Sequence, residues 1–388
     1  MICKRENGDN RYIEFIDIFC LFIISMSFAF PVRMPYIKSI YIFDILIFLY
    51  VSITLFISGN PVKLVTKKII YLSIATISPS LFLITYSNSI NSSLIFISQY
   101  LFTAVFLFLF LDRIFVRKKF NIFLRFTIFN MSVVFLVYLF DVKIFGSYKI
   151  FSQDWGGRFY LTDFTPNDVG HYFLFFMFCC DWIWSKRPGI RYLFYIISII
   201  TFIFTKSKTI YLQIVIFFLS KVRKVYVAIS GFVFFLSIVF FIPFSELTFF
   251  TRDFSADKSS NSIRLDMINN AVDYVYKSIF HPAYYSKVNI DGAHHIAVSS
   301  HNIIASYIVN FGFISFTILI LLSILFLFVY RKNYYIKYLK YIIFIDIFTL
   351  MLNPMLSARV LWFPLSTYIY IIILSNSEGR YLESDNAY

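Results

Sequence analysis

Apolar residues fall in long runs along this chain, broken at intervals by charged or turn-rich stretches. A membrane-crossing helix needs about 20 mainly apolar residues, and reading between the breaks predicts twelve such runs. They cover approximately residues 12–31, 39–58, 69–86, 94–111, 121–141, 168–185, 191–205, 209–220, 225–243, 301–330, 341–357 and 360–375. The seventh and eighth are short and separated only by Lys206-Ser207-Lys208, and the tenth is long enough to include an interfacial segment. Two stretches outside the runs are substantial, Val142–Asn167 and Pro243–Ser300. Loops of that length are usually functional or disordered. Within the second, Ile263, Met267, Ala271, Val275 and Ile279 recur every four residues, a spacing that predicts an amphipathic helix over Ile263–Phe280. Such a helix lies against the membrane surface or caps the bundle. The expected fold is an all-α polytopic membrane protein of about twelve transmembrane helices with one large outer loop. Residues 1–243 form an N-terminal bundle of about nine spans, 244–300 the loop, 301–375 the C-terminal spans and 376–388 a tail.

Composition agrees with the pattern and removes the alternatives. Of 388 residues, 59% are hydrophobic and 14% charged, against roughly 45–50% and about 25% in a soluble domain. No soluble fold hides that much apolar surface, so an array of soluble domains is excluded. The 52 Phe and 29 Tyr reflect in large part the AT-rich codons of a low-GC genome. The first run is too long for a cleaved signal peptide and lacks a small-residue cleavage site. Cys3, Cys20, Cys179 and Cys180 have no metal or disulfide spacing and read as packing residues.

A net charge of +14 means nucleic-acid binding in some soluble proteins, but here the positions of the cations decide. With the N-terminus inside, 21 of the 35 Lys and Arg fall in the predicted cytoplasmic segments and 5 in the four short outer loops. Cytoplasmic loops carry that excess in membrane proteins. Both termini are therefore expected in the cytoplasm, the bilayer is the partner, and nucleic acid is not. Both long loops then fall on the outer face, and the second, with His301 at its end, holds four of the five histidines.

The outer face also carries Arg264 on the predicted amphipathic helix, Lys206 and Lys208 at a tight turn, and Arg158 in the first long loop. Taken singly, each is most simply a solvated loop residue. As a set around one cavity they suit an anionic, membrane-held ligand such as a lipid pyrophosphate. Arg binds phosphate through a planar fork and Lys as a point charge. A histidine beside them, with a reference pKa of about 6.5, suits a base that takes the proton of an attacking hydroxyl. His294-His295 has no acidic or thiol partner at ligand spacing and reads as a solvated pair, so no metal site is expected. Asp44 and Asp346 lie inside apolar runs, where ionisable residues are functional candidates by default. Asp44 is placed to pair with Arg33 or Lys38, and Asp346 to be wetted from the cytoplasm. Glu14, Asp17 and Arg125 lie toward cytoplasmic ends, where snorkelling accounts for them.

Short motifs along residues 150–330 resemble those of the bacterial O-antigen polymerase and O-antigen ligase superfamily. Ser300-His301-Asn302-Ile303-Ile304 through Asn310-Phe311-Gly312-Phe313 is similar to its His-Asn…Gly signature. Asn261-Ser262-Ile263-Arg264 resembles the helix opening in its large periplasmic loop. Thr165-Pro166-Asn167-Asp168 resembles its Pro-Asn step, with Arg158 upstream, and Phe204-Thr205-Lys206-Ser207-Lys208 resembles its Thr-x-Ser-Arg turn. Two positions depart from the pattern: Lys208 replaces an arginine and loses the bidentate fork, and Leu161 replaces a glycine after Arg158.

The resemblance implies a cofactor-free, metal-independent enzyme of the bacterial inner membrane. Undecaprenyl-pyrophosphate-linked glycan would be both donor and acceptor, and a polysaccharide chain-length regulator a possible partner. It further implies His301 as the base and Arg264 on the pyrophosphate as catalytic residues, with Lys208, Arg158, Asn167 and Asn302 binding substrate. No Asp-x-Asp motif is present, which argues against a sugar-nucleotide transferase. The first outer loop, Pro31–Lys38, lacks the acid of oligosaccharyltransferase-like enzymes. The ligase, which transfers glycan to lipid A-core, is the nearest rival, and the divergent, Phe/Ile-rich, AT-biased character of the chain favours the polymerase. A twelve-span flippase or other transporter is the alternative of another class. Transporters commonly pair Gly- or Pro-broken spans in matching positions, and no such pairing is evident in the sequence.

Overall fold

A computed structural model describes residues 7–30, 41–58, 61–83, 90–139, 166–184, 186–205, 303–332 and 359–377, with Ile214, Phe217 and Phe218 as isolated helical positions. The described residues are all-helical, with no strand among them. The helices are α1 (Asn7–Ala29), α2 (Ile42–Ser58), α3 (Leu64–Leu83), α4 (Ile90–Val116), α5 (Phe120–Tyr138), α6 (Pro166–Ile183), α7 (Pro188–Thr205), α8 (Ile303–Val329) and α9 (Arg359–Ser377). Each overlaps a predicted apolar run. The predicted spans 225–243 and 341–357, Asp346, the loop 244–300 and its amphipathic helix lie outside the described residues.

Three stretches, Phe120–Tyr138, Pro188–Thr205 and Phe311–Val329, are long and apolar enough to cross a membrane, which marks the chain as membrane-associated. Their surfaces agree with a lipid environment. Leu193 and Ile196 on the second and Ile324, Leu325 and Phe328 on the third stand exposed, and large apolar side chains exposed in such numbers mark membrane or protein contact rather than water.

The centre of the bundle is α6. Val169, Tyr172, Phe173, Phe176, Met177, Cys179 and Cys180 are all fully buried, and a helix that is apolar all round belongs in an interior. It packs against α5, α7 and α9. Cys179 and Cys180 are buried within this core, and Cys20 is half-buried on α1. Much of the core is aromatic. Phe28 of α1 meets Phe43 of α2 at 4.6 Å and Tyr172 of α6 at 4.7 Å, Phe110 of α4 meets Phe123 of α5 at 5.0 Å, and Phe178 of α6 meets Tyr368 of α9 at 5.9 Å. Such pairs contribute about 0.5–1.5 kcal/mol each beyond area burial. Whatever codon bias supplied these rings, they fill the gaps between helices.

Helices α1 and α5 run parallel and share one register. Lys119 bonds Glu14 at one end, and Asn130 Nδ2 donates to Ser25 Oγ at 2.7 Å further along. Both pairs are 105 residues apart in sequence, so the two ties sit about three helical turns from each other. Helix α4 reaches α5 through a tight reversal. Lys118 has φ 57°, the Lys119 N–H donates to Ile114 C=O at 2.7 Å, and the Lys118 N–H to Phe115 C=O at 2.8 Å. This is the hydrogen-bond pattern of a Schellman cap, with lysine in the left-handed position glycine normally takes. The reversal brings Arg117 and Lys119 onto α1.

Candidate functional site

The six residues assigned to chemistry from sequence divide unevenly. Asn167 lies in the first turn of α6, directly after Pro166, and proline at the first helical position suits a helix start because its missing N–H has no intrahelical partner there. His301, Asn302, Arg264, Lys208 and Arg158 lie outside the described residues. In the sequence, Lys206 follows Thr205, the last described residue of α7, and Asn302 precedes Ile303, the first described residue of α8.

The described residues contain two buried polar constellations at opposite ends of α3. The first centres on Asp112, fully buried near the end of α4. Its Oδ1 accepts from Thr66 Oγ1 of α3 at 2.7 Å, from the Lys63 backbone N–H at 3.3 Å and from the Tyr370 hydroxyl of α9 at 3.4 Å. Its Oδ2 takes the guanidinium of Arg113 at 2.5 Å, and the same nitrogen of Arg113 donates to the Pro61 carbonyl at 3.2 Å. Arg113 is buried as well. A carboxylate has about four lone-pair sites, and these donors engage them, so the group holds α3, α4 and α9 together rather than offering an open acid. Sequence reading ended the fourth span at residue 111 and counted Arg113 among the cations of the next loop. The helix instead continues to Val116 and takes both charges inside, because adjacent opposite charges neutralise each other where hydropathy alone sees only a break.

Neighbouring acids at the same end repeat the arrangement. Asp17 Oδ1 accepts from Tyr50 at 2.8 Å and from Arg117 at 3.2 Å. Asp181 accepts from Tyr195 at 2.8 Å and faces Arg191 at 3.6 Å. Snorkelling therefore does not describe Asp17, which is buried and paired inside the bundle; it does suit Glu14, an exposed carboxylate on Lys119, and exposed Arg125. Asp44 caps its own helix: the Tyr41 N–H donates to its Oδ2 at 3.0 Å.

The second constellation lies near the other end of α3. Helix α8 is interrupted at Gly312, whose φ of 82° and ψ of 161° are non-helical. That region of backbone space is open essentially to glycine alone. The Phe311 carbonyl just before the break accepts a hydrogen bond from Ser80 Oγ, and Ser80 Oγ lies 2.7 Å from Ser315 Oγ just after it. Ser80, Phe311 and Ser315 are fully buried, and Ser80 follows Pro79, the proline inside α3. A broken helix leaves backbone groups without ladder partners, and in a bilayer each such group costs several kcal/mol unless protein satisfies it. Ser80 does so here. The fold thus sets a proline-bearing helix against a glycine-broken one. The available signal was Pro79 within an apolar run, with Ser78 and Ser80 on either side of it.

Substituting Gly312 by alanine forces an L-residue into this conformation at a cost of about 1–3 kcal/mol. A lower midpoint in thermal unfolding of the detergent-solubilised protein is the expected result, with Gly312→Val lower still.

No protein-family model matches the chain, and no curated protein or solved structure matches it.

Proposed function

We propose that the chain is a glycan polymerase: a twelve-span glycosyltransferase of the bacterial inner membrane, with both termini cytoplasmic, that joins undecaprenyl-pyrophosphate-linked repeat units of a surface polysaccharide on the periplasmic face. The hydroxyl of one lipid-linked unit displaces the lipid pyrophosphate of the other. His301 takes the hydroxyl proton, Arg264 and Lys208 hold the pyrophosphate, and Arg158, Asn167 and Asn302 bind the glycan. A chain-length regulator is the expected protein partner.

The observation that carries this reading is the order of the motifs on one topology. Pro166-Asn167 opens α6, Lys206-Ser207-Lys208 follows α7, and His301-Asn302 precedes α8 with its Gly312. Sites between helices are held rigidly when their residues stand at helix ends, and cations gathered on one face suit a pyrophosphate leaving group.

Deleting the gene and resolving the surface polysaccharide on a gel tests the proposal. The expected result is loss of the long-chain ladder, leaving core plus one repeat unit. Loss of every attached repeat identifies the ligase instead, and an unchanged ladder overturns both.

A second reading has one specific observation in its favour. Discontinuous helices are where transporters commonly place their binding sites, and α8 breaks at Gly312 beside Pro79-Ser80 of α3. A lipid-linked oligosaccharide flippase accounts for that feature. Purified protein mixed with lipid-linked repeat units in detergent separates the two, since only a polymerase lengthens glycan where there is no bilayer to cross.

A further inference from the structure

Helix α8 consists of two pieces, Ile303–Phe311 and Phe313–Val329, joined through the non-helical Gly312. The shorter piece is anchored at its end: Ser80 of α3 donates to the carbonyl of Phe311, its last residue, and Tyr307 and Phe311, whose tilted rings lie 4.6 Å apart, are both buried. The hydroxyl of Ser80 also reaches Ser315 at 2.7 Å, on the far side of the break. One side chain of α3 therefore ties both pieces across the joint.

A glycine in this region of backbone space supplies no steric restoring force of its own, so the angle between the two pieces depends on what they touch. Lipid cannot hydrogen-bond to either piece, and among the described residues Ser80 of α3 does so on both sides of the break. The tie is local to the joint, and Tyr307, one turn earlier, meets Phe316 beyond the break at 6.1 Å, so the short piece is held at two points and its direction is set.

We infer that Ser80 is a positioning residue for the proposed polymerase: it sets the angle at Gly312 of the Ile303–Phe311 piece, which His301-Asn302 immediately precedes in the sequence. The inference rests on the polymerase reading for its activity assay, while its geometric part stands apart from that reading. Ser80 touches no reacting atom in this scheme. It acts through the carbonyl of Phe311. A displacement of about 1 Å at a reacting group is worth as much as 10²-fold in rate, and a single hydrogen bond holding a nine-residue lever lies toward the lower part of that range.

The geometric test uses Ser80→Cys with Ser315→Cys in a background lacking the native cysteines, in inner-membrane vesicles. Oxidation is expected to join the two positions, seen as resistance to thiol alkylation after denaturation in SDS that a reductant abolishes. Failure of the pair to cross-link overturns the tie, whatever the protein does. The functional test supplies extracted lipid-linked repeat units to purified protein and measures chain growth. Ser80→Ala is expected to lower kcat about tenfold with KM within twofold, and Ser80→Thr, which keeps the hydroxyl, to restore at least half of the wild-type rate. Full activity in Ser80→Ala overturns the positioning role, and so does loss of activity that Ser80→Thr leaves unrestored while the protein still inserts and melts normally. Wild-type protein that grows no chains while the cysteine pair still cross-links overturns the polymerase reading and leaves the tie standing.

Discussion

Replacing His301 by alanine is expected to abolish the long-chain polysaccharide ladder while the protein still inserts in normal amount. A general base contributes roughly 10²–10⁴-fold to rate, and a loss of that size empties a ladder in which each rung is one more turnover. Arg264→Ala is expected to remove the ladder too, by a different route. Arginine meets phosphate oxygens through two parallel hydrogen bonds, and lysine offers one mobile ammonium, so Arg264→Lys is expected to restore part of the activity. His301→Gln keeps a polar side chain and no base, and recovers nothing. The measurement is complementation of the deletion strain, with the gel read beside an immunoblot of membranes. A full ladder from both alanine variants overturns the assignment of these residues. A full ladder from His301→Ala alone leaves the pyrophosphate reading of Arg264 intact and requires another base.

How much of this was legible beforehand depended on the kind of signal. Helix positions were, because a run of about 20 apolar residues has few other solutions in a lipid environment. The boundaries were less so. Helix α1 starts at Asn7 and α3 at Leu64, each ahead of the predicted run, because a helix continues into polar sequence where hydropathy has already fallen. Cations followed the same logic. Lys119, Arg117 and Arg191 were read from the sequence as markers of a cytoplasmic side, and the fold places them on Glu14, Asp17 and Asp181. These partners lie on other helices or other turns, and no local pattern announces them. Gly312 stood inside a motif, yet its reason, a backbone conformation open to glycine alone, belongs to φ and ψ rather than to spacing. Ser80 was hard to single out for the opposite reason. One hydroxyl among the several Ser and Thr of its run stands out only through its partner, and that partner is 231 residues away.

Asp112→Ala is expected to be the most destabilising substitution at the paired end of the bundle. It removes the acceptor for Thr66, Lys63 N–H and Tyr370 and leaves the Arg113 guanidinium buried without its countercharge. Breaking a buried pair by deleting one member costs about 3–5 kcal/mol, because the remaining charge stays desolvated. The expected result is a sharply lower thermal midpoint in nanodiscs and lower membrane abundance. Asp112→Asn keeps an oxygen for Thr66 and loses the charge, so it falls between wild type and alanine. The informative variant removes both charges. Asp112→Leu with Arg113→Met replaces the pair by apolar groups of similar volume, an exchange that is often neutral or stabilising, so it is expected to recover most of the stability lost by Asp112→Ala. An Asp112→Ala protein as stable as wild type would show that water reaches Arg113 and that the pair is not buried among α3, α4 and α9. A double variant as unstable as the single one would place the loss in the hydrogen bonds to Thr66 and Tyr370, and would make the shared acceptor rather than the charge balance the tie that joins these three helices.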